Sequence, residues 1–188
     1  LEPFRQACAI MFCKLGKKEI SLEEIRNNFS TPYMNFWNKY FPNLTKEEED
    51  KLYDQTISKV DEAFLYPKVK PVLEELNSQG MDLFIISSDP HLQLMKEVKK
   101  GEVFDLLKEI QGKVHEKEKT ILRILEKNNL DPEETVYVGD TNGDIEAGKL
   151  TNIKTIGISW GFGTKNTLKK ANPDFLIKRI EELIPLLK

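Results

Sequence analysis

From residue 66 to the C-terminus the chain repeats one pattern, an amphipathic helical stretch followed by a short run of apolar residues, and this pattern restricts the fold more than any other feature. Val69, Val72, Leu73 and Leu76 share one helical face that stops at Gly80, and "MDLFIIS" (81–87) follows as a buried strand. The alternation continues with a helix at about 91–100, a weak strand near "KEIQG", a helix at about 117–128 and the strand "TVYVG" (135–139). A short helix from about 143, the strands "KTIGIS" (154–159) and "DFLIK" (174–178), and a last helix with Ile180, Leu183, Ile184 and Leu187 on one face complete it. Strands that alternate with helices imply crossover connections, which are right-handed in nearly every case. The expected fold class is therefore α/β, a Rossmann-like, doubly wound parallel sheet.

Residues 1–65 read as helices only. Ser21 with Glu24, and Thr45 with Glu48, each place a hydroxyl at a helix start and a carboxylate three residues on, which is the pattern of a capping box. Between them Thr31 can cap a helix that has Pro32 at its first position, after which Tyr33, Phe36, Trp37 and Tyr40 form an aromatic stripe. That stripe reads as helical core before it reads as a ligand platform. The expected division is an all-helical cap at 1–65 and a core at 66–188, hinged near 65–68.

At 188 residues the chain can bury one sizeable core with a small appended module. Its 28 basic and 31 acidic residues are interspersed, for a net charge of -3, so no basic footprint points to nucleic acid or to a polybasic membrane contact. A small-molecule ligand is expected. Cys8 and Cys13, the two cysteines, fit reduced thiols in a cytoplasmic protein better than a disulfide framework. No apolar run approaches the ~20 residues of a membrane-spanning helix. The sequence opens at Leu1, already inside a helical pattern, which leads us to expect a preceding segment.

In open α/β sheets ligands bind at the carboxyl ends of the strands. Asp140 directly follows the strand 135–139, and Asp144 lies in the first turn of the next helix. Two carboxylates this close repel unless a cation intervenes, and Mg²⁺, a hard ion with oxygen ligands, is the natural one. The plainer account makes Asp144 a helix N-terminal acid and Asp140 a turn residue. Ser87 and Ser88 stand where the strand 81–87 ends, where a hydroxyl and turn N–H groups can hold a phosphate oxygen. Lys113, Lys117 and Lys119 precede or open the helix that leads to Asp140, and one of them could neutralise the carboxylates and a bound phosphate. His91 and His115 lack partners for a zinc site, and Trp160 with Gly161 and Gly163 reads as a mobile loop rather than a phosphate cradle.

Taken in order, Tyr66-Pro67 with Val69, Ser87 at a strand end, a lysine, "VGDTNGDIEAGK" and "KTIGISWGFG" resemble the haloacid dehalogenase superfamily, in its phosphoglycolate-phosphatase-like branch with a helical cap. The resemblance runs from about residue 66 to the end. It implies a Mg²⁺-dependent phosphatase acting on a small phosphorylated metabolite, as a monomer or homodimer. By the same resemblance Ser87 binds the phosphoryl group, and Ser88 stays a substrate-binding candidate from its place at the strand end. Lys117, from "HEK", steadies nucleophile and phosphate; Asp140 ligates the metal and Asp144 supports it. One departure is large: family members open with a strand ending in Asp-x-Asp, whose first Asp is the nucleophile, and no Asp-x-Asp occurs here. Asp89 is a poor substitute. The missing strand would lie between those ending at Ser87 and Gly139, so an upstream strand is expected. Alternatives on the same scaffold are a phosphosugar mutase and a non-catalytic phosphate-binding, metal-binding or regulatory protein.

Overall fold

The computed structural model describes residues 1–29, 32–61 and 63–188. Its helical part comprises α1 (Glu2–Lys14), α2 (Leu22–Asn28), α3 (Met34–Tyr40) and α4 (Lys46–Ile57). Thr45 and Glu48 form both halves of their capping box at the start of α4. The Ser21 box forms only one half: Ser21 Oγ accepts the Glu24 N–H at 3.1 Å, but the Glu24 carboxylate takes the Tyr40 hydroxyl at 3.1 Å instead of reaching back. Thr31 lies outside the described residues. Pro32 stands before α3 rather than in its first turn, its carbonyl accepting the Asn35 N–H at 2.9 Å in a tight turn.

Phe36 and Trp37 are buried with Cys8, Met11, Phe12, Ile20 and Ile25 in a core made only of this part, and Tyr33 and Tyr40 pack on its edge. A buried side chain of Phe size contributes roughly 1.5–3 kcal/mol through area removed from water, so the aromatic stripe is a main source of this part's stability. Cys8 is buried and Cys13 exposed, both as free thiols. Among the described residues no helix is long and apolar enough to cross a membrane.

The remainder alternates: α5 (Val69–Ser78), β1 (Leu83–Ile86), α6 (His91–Lys100), β2 (Leu107–Gln111), α7 (Lys117–Asn128), β3 (Val136–Gly139), α8 (Asn142–Leu150), β4 (Lys154–Ile158), α9 (Lys165–Ala171), β5 (Phe175–Ile177) and α10 (Leu183–Leu186). β1 pairs in parallel with β2, and β3, β4 and β5 pair in parallel in that order. The strands thus form two sheets instead of one. β1 and β3 each have one partnered edge among the described residues, and both are only half-buried, whereas Thr155, Ile156 and Gly157 of β4 are buried.

Residue alternation along β3 shows the double winding. Val136 and Val138 face a core containing Val72, Leu76, Ile156 and Leu183, under α5 and α10, while Tyr137 faces another built from Ile121, Leu125 and Ala147, under α7 and α8. Helices therefore cover both faces, as a parallel sheet requires. The fold is a Rossmann-like α/β core joined to a helical part. Helix α9 was not expected, because only Leu168 of its residues is buried and no apolar face marks it; its start is set by Thr164, whose Oγ1 accepts the Thr167 N–H at 3.2 Å. The last helix is shorter than its pattern predicts: Ile180–Glu182 forms a 3₁₀ turn before α10.

Candidate active site

Strand β3 ends at Gly139, and the turn into α8 places two aspartates in unlike surroundings. Thr141 caps α8: its Oγ1 accepts the Asp144 N–H at 3.2 Å, while Asp144 Oδ2 accepts the Thr141 N–H at 3.0 Å. The Thr141 hydroxyl at 2.7 Å and the Asp140 N–H at 3.2 Å also reach Asp144 Oδ2. On the other oxygen, Lys117 Nζ donates to Asp144 Oδ1 at 2.5 Å and the Tyr137 hydroxyl does so at 3.3 Å. A carboxylate offers about four lone-pair sites, so Asp144, only 3% exposed, is saturated. It serves the helix start and the lysine together. Burial alone would raise its carboxyl, but the charge and hydrogen bond of Lys117, with Thr141, hold it below the ordinary carboxylate range.

Asp140 is pushed the opposite way. Burial is the main cause of a pKa raised above the usual value; the Phe162 N–H, at 2.8 Å from Oδ2, works against the rise, and Asp144 adds to it. No lysine or arginine pairs with Asp140 among the described residues. Its main-chain carbonyl accepts the Gly163 N–H at 2.7 Å, so the segment after β4 wraps the residue from both sides.

That wrapping needs Gly161. A Cβ there would lie 2.0 Å from Asp140 Oδ2, a distance no real contact permits. We expect Gly161→Ala to cost about 1–3 kcal/mol through overpacking and to weaken any function of the Asp140 carboxylate roughly 10- to 100-fold. Chemical denaturation and Mg²⁺ titration of the variant check both numbers; a variant with unchanged metal response would show that this contact is dispensable.

The Ser87 N–H donates to the Gln111 carbonyl at 2.8 Å, and the Ser87 carbonyl accepts the Val114 N–H at 2.9 Å, so β1 and the segment before α7 leave the sheet side by side. The Ser87 hydroxyl donates to Asp89 Oδ2 at 3.2 Å and accepts the Asp89 N–H at 3.1 Å. Ser88 turns away, its hydroxyl donating to the Val114 carbonyl at 3.0 Å. Of the three lysines, Lys113 pairs with Asp54 at 3.0 Å and Lys119 with Glu116 at 2.5 Å; Lys117 is the one that meets an aspartate after β3. His115 stacks on Tyr33 at 5.2 Å.

The helical part touches these same strand-end segments. The Tyr53 hydroxyl reaches Asp89 Oδ1 at 3.4 Å, and Arg26 donates to the carbonyls of Phe162 and Gly163 at 3.4 and 3.3 Å. Sequence reasoning did not single out Tyr53, Tyr137, Thr141, Phe162 or Arg26 for the site. Thr141 had a visible signal, since Thr-x-x-Asp is a cap pattern; the others act across distances that one sequence does not display.

A hard divalent cation fits this donor set in one respect. Among the described residues Asp140 forms no ion pair, although the charge of Lys117 bears on it from beside Asp144, and Mg²⁺ is commonly held by one or two carboxylates with waters and phosphate oxygens completing its shell. Among the described residues no three His, Cys, Asp or Glu side chains converge on one point. Asp140 would thus be the direct ligand here, with Asp144 and Lys117 behind it.

The core is thus doubly wound and Rossmann-like, with an acid and a lysine-paired acid at the end of β3. Residues 3–158 match the haloacid dehalogenase-like hydrolase family, and the chain belongs to it. It is 26% identical over 145 residues to a phosphoglycolate phosphatase of Shigella boydii, covering 73% of this chain and 57% of that protein. The chain thus spans little more than half the length of that relative. To pyrophosphatase PpaX of Bacillus cereus it is 27% identical over 190 residues, covering 82% of this chain and 86% of that one. In fold it is similar to a haloacid dehalogenase-like family hydrolase from Streptococcus pneumoniae, with a TM-score of 0.84 at 24% identity, covering 99% of this chain and 90% of the other.

Proposed function

We propose that this chain forms the cap, residues 1–65, and most of the core, residues 66–188, of a Mg²⁺-dependent phosphatase acting on a small phosphate monoester. The observation that carries the reading is the pairing of Lys117 with Asp144 beside Asp140, which forms no ion pair among the described residues, at the carboxyl end of β3. The names of the relatives from Shigella boydii and Bacillus cereus agree in phosphate chemistry. Phosphoglycolate is the nearest analogy for the substrate. The free thiols of Cys8 and Cys13 fit a cytoplasmic enzyme.

In this reading the nucleophile is a carboxylate on a further strand. The edges of β1 and β3 that have no partner among the described residues support that placement, since such a strand would pair with both and bring its carboxyl end between Ser87 and Asp140. The carboxylate oxygen attacks phosphorus and the P–O ester bond breaks, the alcohol leaving with a proton from a second carboxyl group on the same strand; that group then takes a proton from the water that cleaves the aspartyl-phosphate to free phosphate and the carboxylate. Ser87 donates its hydroxyl to a phosphoryl oxygen, exchanging its Asp89 contact for the substrate. Lys117 offsets negative charge while keeping Asp144, and through it the Asp140 N–H, in place. Mg²⁺ held by Asp140 would neutralise charge on the transferring group.

The test is hydrolysis of p-nitrophenyl phosphate by the intact protein. Turnover is expected with Mg²⁺, to vanish with EDTA, and to show a KM raised about tenfold in Ser87→Ala, the scale of one lost hydrogen bond to a charged group. Turnover that survives EDTA, or none from the intact protein with Mg²⁺ and a range of phosphate esters, would sink the proposal.

A further inference from the structure

We infer that Phe162 is a positioning residue through which the helical cap sets the Asp140 carboxylate, so that metal binding at Asp140 depends on how the cap is seated. The inference rests on the reading of Asp140 as a metal ligand.

Phe162 is held from two directions. Its ring meets Phe4 of α1 edge-on at 4.9 Å and Phe29, just after α2, at 5.5 Å, and those two rings meet each other at 5.5 Å and 87°. Its carbonyl and that of Gly163 accept from Arg26 of α2. All of these partners belong to the helical part. The N–H of the same residue faces the other way and donates to Asp140 Oδ2 at 2.8 Å. One residue therefore carries its side chain and carbonyl in the cap and its N–H on the candidate metal ligand.

The segment between β4 and α9 is tied to the core at Gly163, whose N–H donates to the Asp140 carbonyl at 2.7 Å, and at Thr164, which caps α9. Gly161 and Gly163 flank Phe162, and glycine gives the backbone the widest choice of conformations. Two sets of contacts therefore fix the direction of the Phe162 N–H: on the core side the Gly163 N–H donates to the Asp140 carbonyl at 2.7 Å, and on the cap side the ring and carbonyl of Phe162 are held by α1, α2 and Phe29. An N–H that holds a ligating carboxylate fixes the direction in which its free lone pairs point, and such supporting contacts commonly govern metal affinity. Ordinary packing accounts for the aromatic cluster, but not for the same residue's bond to Asp140.

Calorimetric Mg²⁺ titration of the intact protein tests this. Wild type is expected to bind and Asp140→Asn to lose binding. Phe162→Ala, which keeps the N–H and removes its anchor, is expected to bind about tenfold more weakly, and Phe162→Leu to recover most of the loss. Phe4→Ala, altered in the cap itself, is expected to weaken binding in the same direction while a cooperative melt shows it folded. Wild-type affinity in Phe162→Ala would overturn the inference and leave the metal reading intact. Should that variant not fold, wild-type affinity in Phe4→Ala overturns it equally. Binding that is absent in wild type, or unchanged in Asp140→Asn, overturns the metal reading and this inference with it.

Discussion

Replacing Asp140 by asparagine is expected to do two opposite things: to remove Mg²⁺-dependent turnover of the intact protein, by about a thousandfold in kcat, and to raise its unfolding temperature in metal-free buffer. The second effect follows from the direction of the pKa. Burial, aided by Asp144, raises the Asp140 carboxyl above its ordinary value. The folded state then binds that proton more tightly than the unfolded chain does. Stability accordingly falls as pH rises from the ordinary value of about 4 towards the higher folded value, and the loss persists above it. Asparagine cannot ionise, and its amide oxygen can still accept the Phe162 N–H. The variant should thus melt above wild type at pH 7 without metal, with the gap closing below pH 4 and again when Mg²⁺ stabilises wild type. Thermal melts across pH, with and without Mg²⁺, supply the comparison. A variant that melts below wild type at pH 7 without metal would contradict a penalised Asp140, and retained turnover would remove it from the chemistry.

The sequence showed this acid because an uninterrupted apolar strand ends directly before it, whereas Asp50 and Asp54, at the same spacing, lie in a polar helix. It also showed the helix–strand alternation, since the buried faces follow regular periods: Val72 and Leu76 are a turn apart, and Val136, Tyr137 and Val138 alternate between two cores. What stayed hidden depends on contacts between distant segments. Glu24 matches a capping box yet bonds Tyr40, because a tertiary donor competed for its carboxylate. Phe162 reads as one loop aromatic until Phe4, Phe29 and Asp140 are placed around it. Gly161 looked like flexibility and proved to be a close approach to Asp140. Helix α9 lacks the apolar stripe by which helices are recognised. Lys117 could be preferred over Lys113 and Lys119 only by resemblance; the fold separates them because Lys113 meets the exposed Asp54 of α4 and Lys119 the exposed Glu116 of its own segment.

Lys117→Met is the substitution expected to destabilise the protein most among those considered. Asp144 is 3% exposed, and Lys117 is the cation that answers its charge, at 2.5 Å. Methionine keeps the length of the aliphatic stem and removes the charge, leaving a buried carboxylate with neutral donors alone. Breaking a buried pair from one side costs about 3–5 kcal/mol. At about 2–4 °C per kcal/mol for a chain of this size, the melting temperature should fall by roughly 6–20 °C. Acid should treat the two proteins differently. In wild type, Lys117 and Thr141 outweigh burial and keep the Asp144 carboxyl below its ordinary value, so its contribution is present above about pH 4 and is lost as pH falls through the lower folded value. Without the lysine, burial dominates and the carboxyl moves up, so protonation relieves the variant and the difference in melting temperature should shrink as pH approaches 4. Adding Asp144→Asn to Lys117→Met should recover part of the loss at pH 7, because the orphaned charge is then gone, and the double-mutant cycle isolates the coupling. Additive single and double losses would mean that Lys117 and Asp144 stabilise the fold independently, and the lysine would lose its place beside the Asp140 turn.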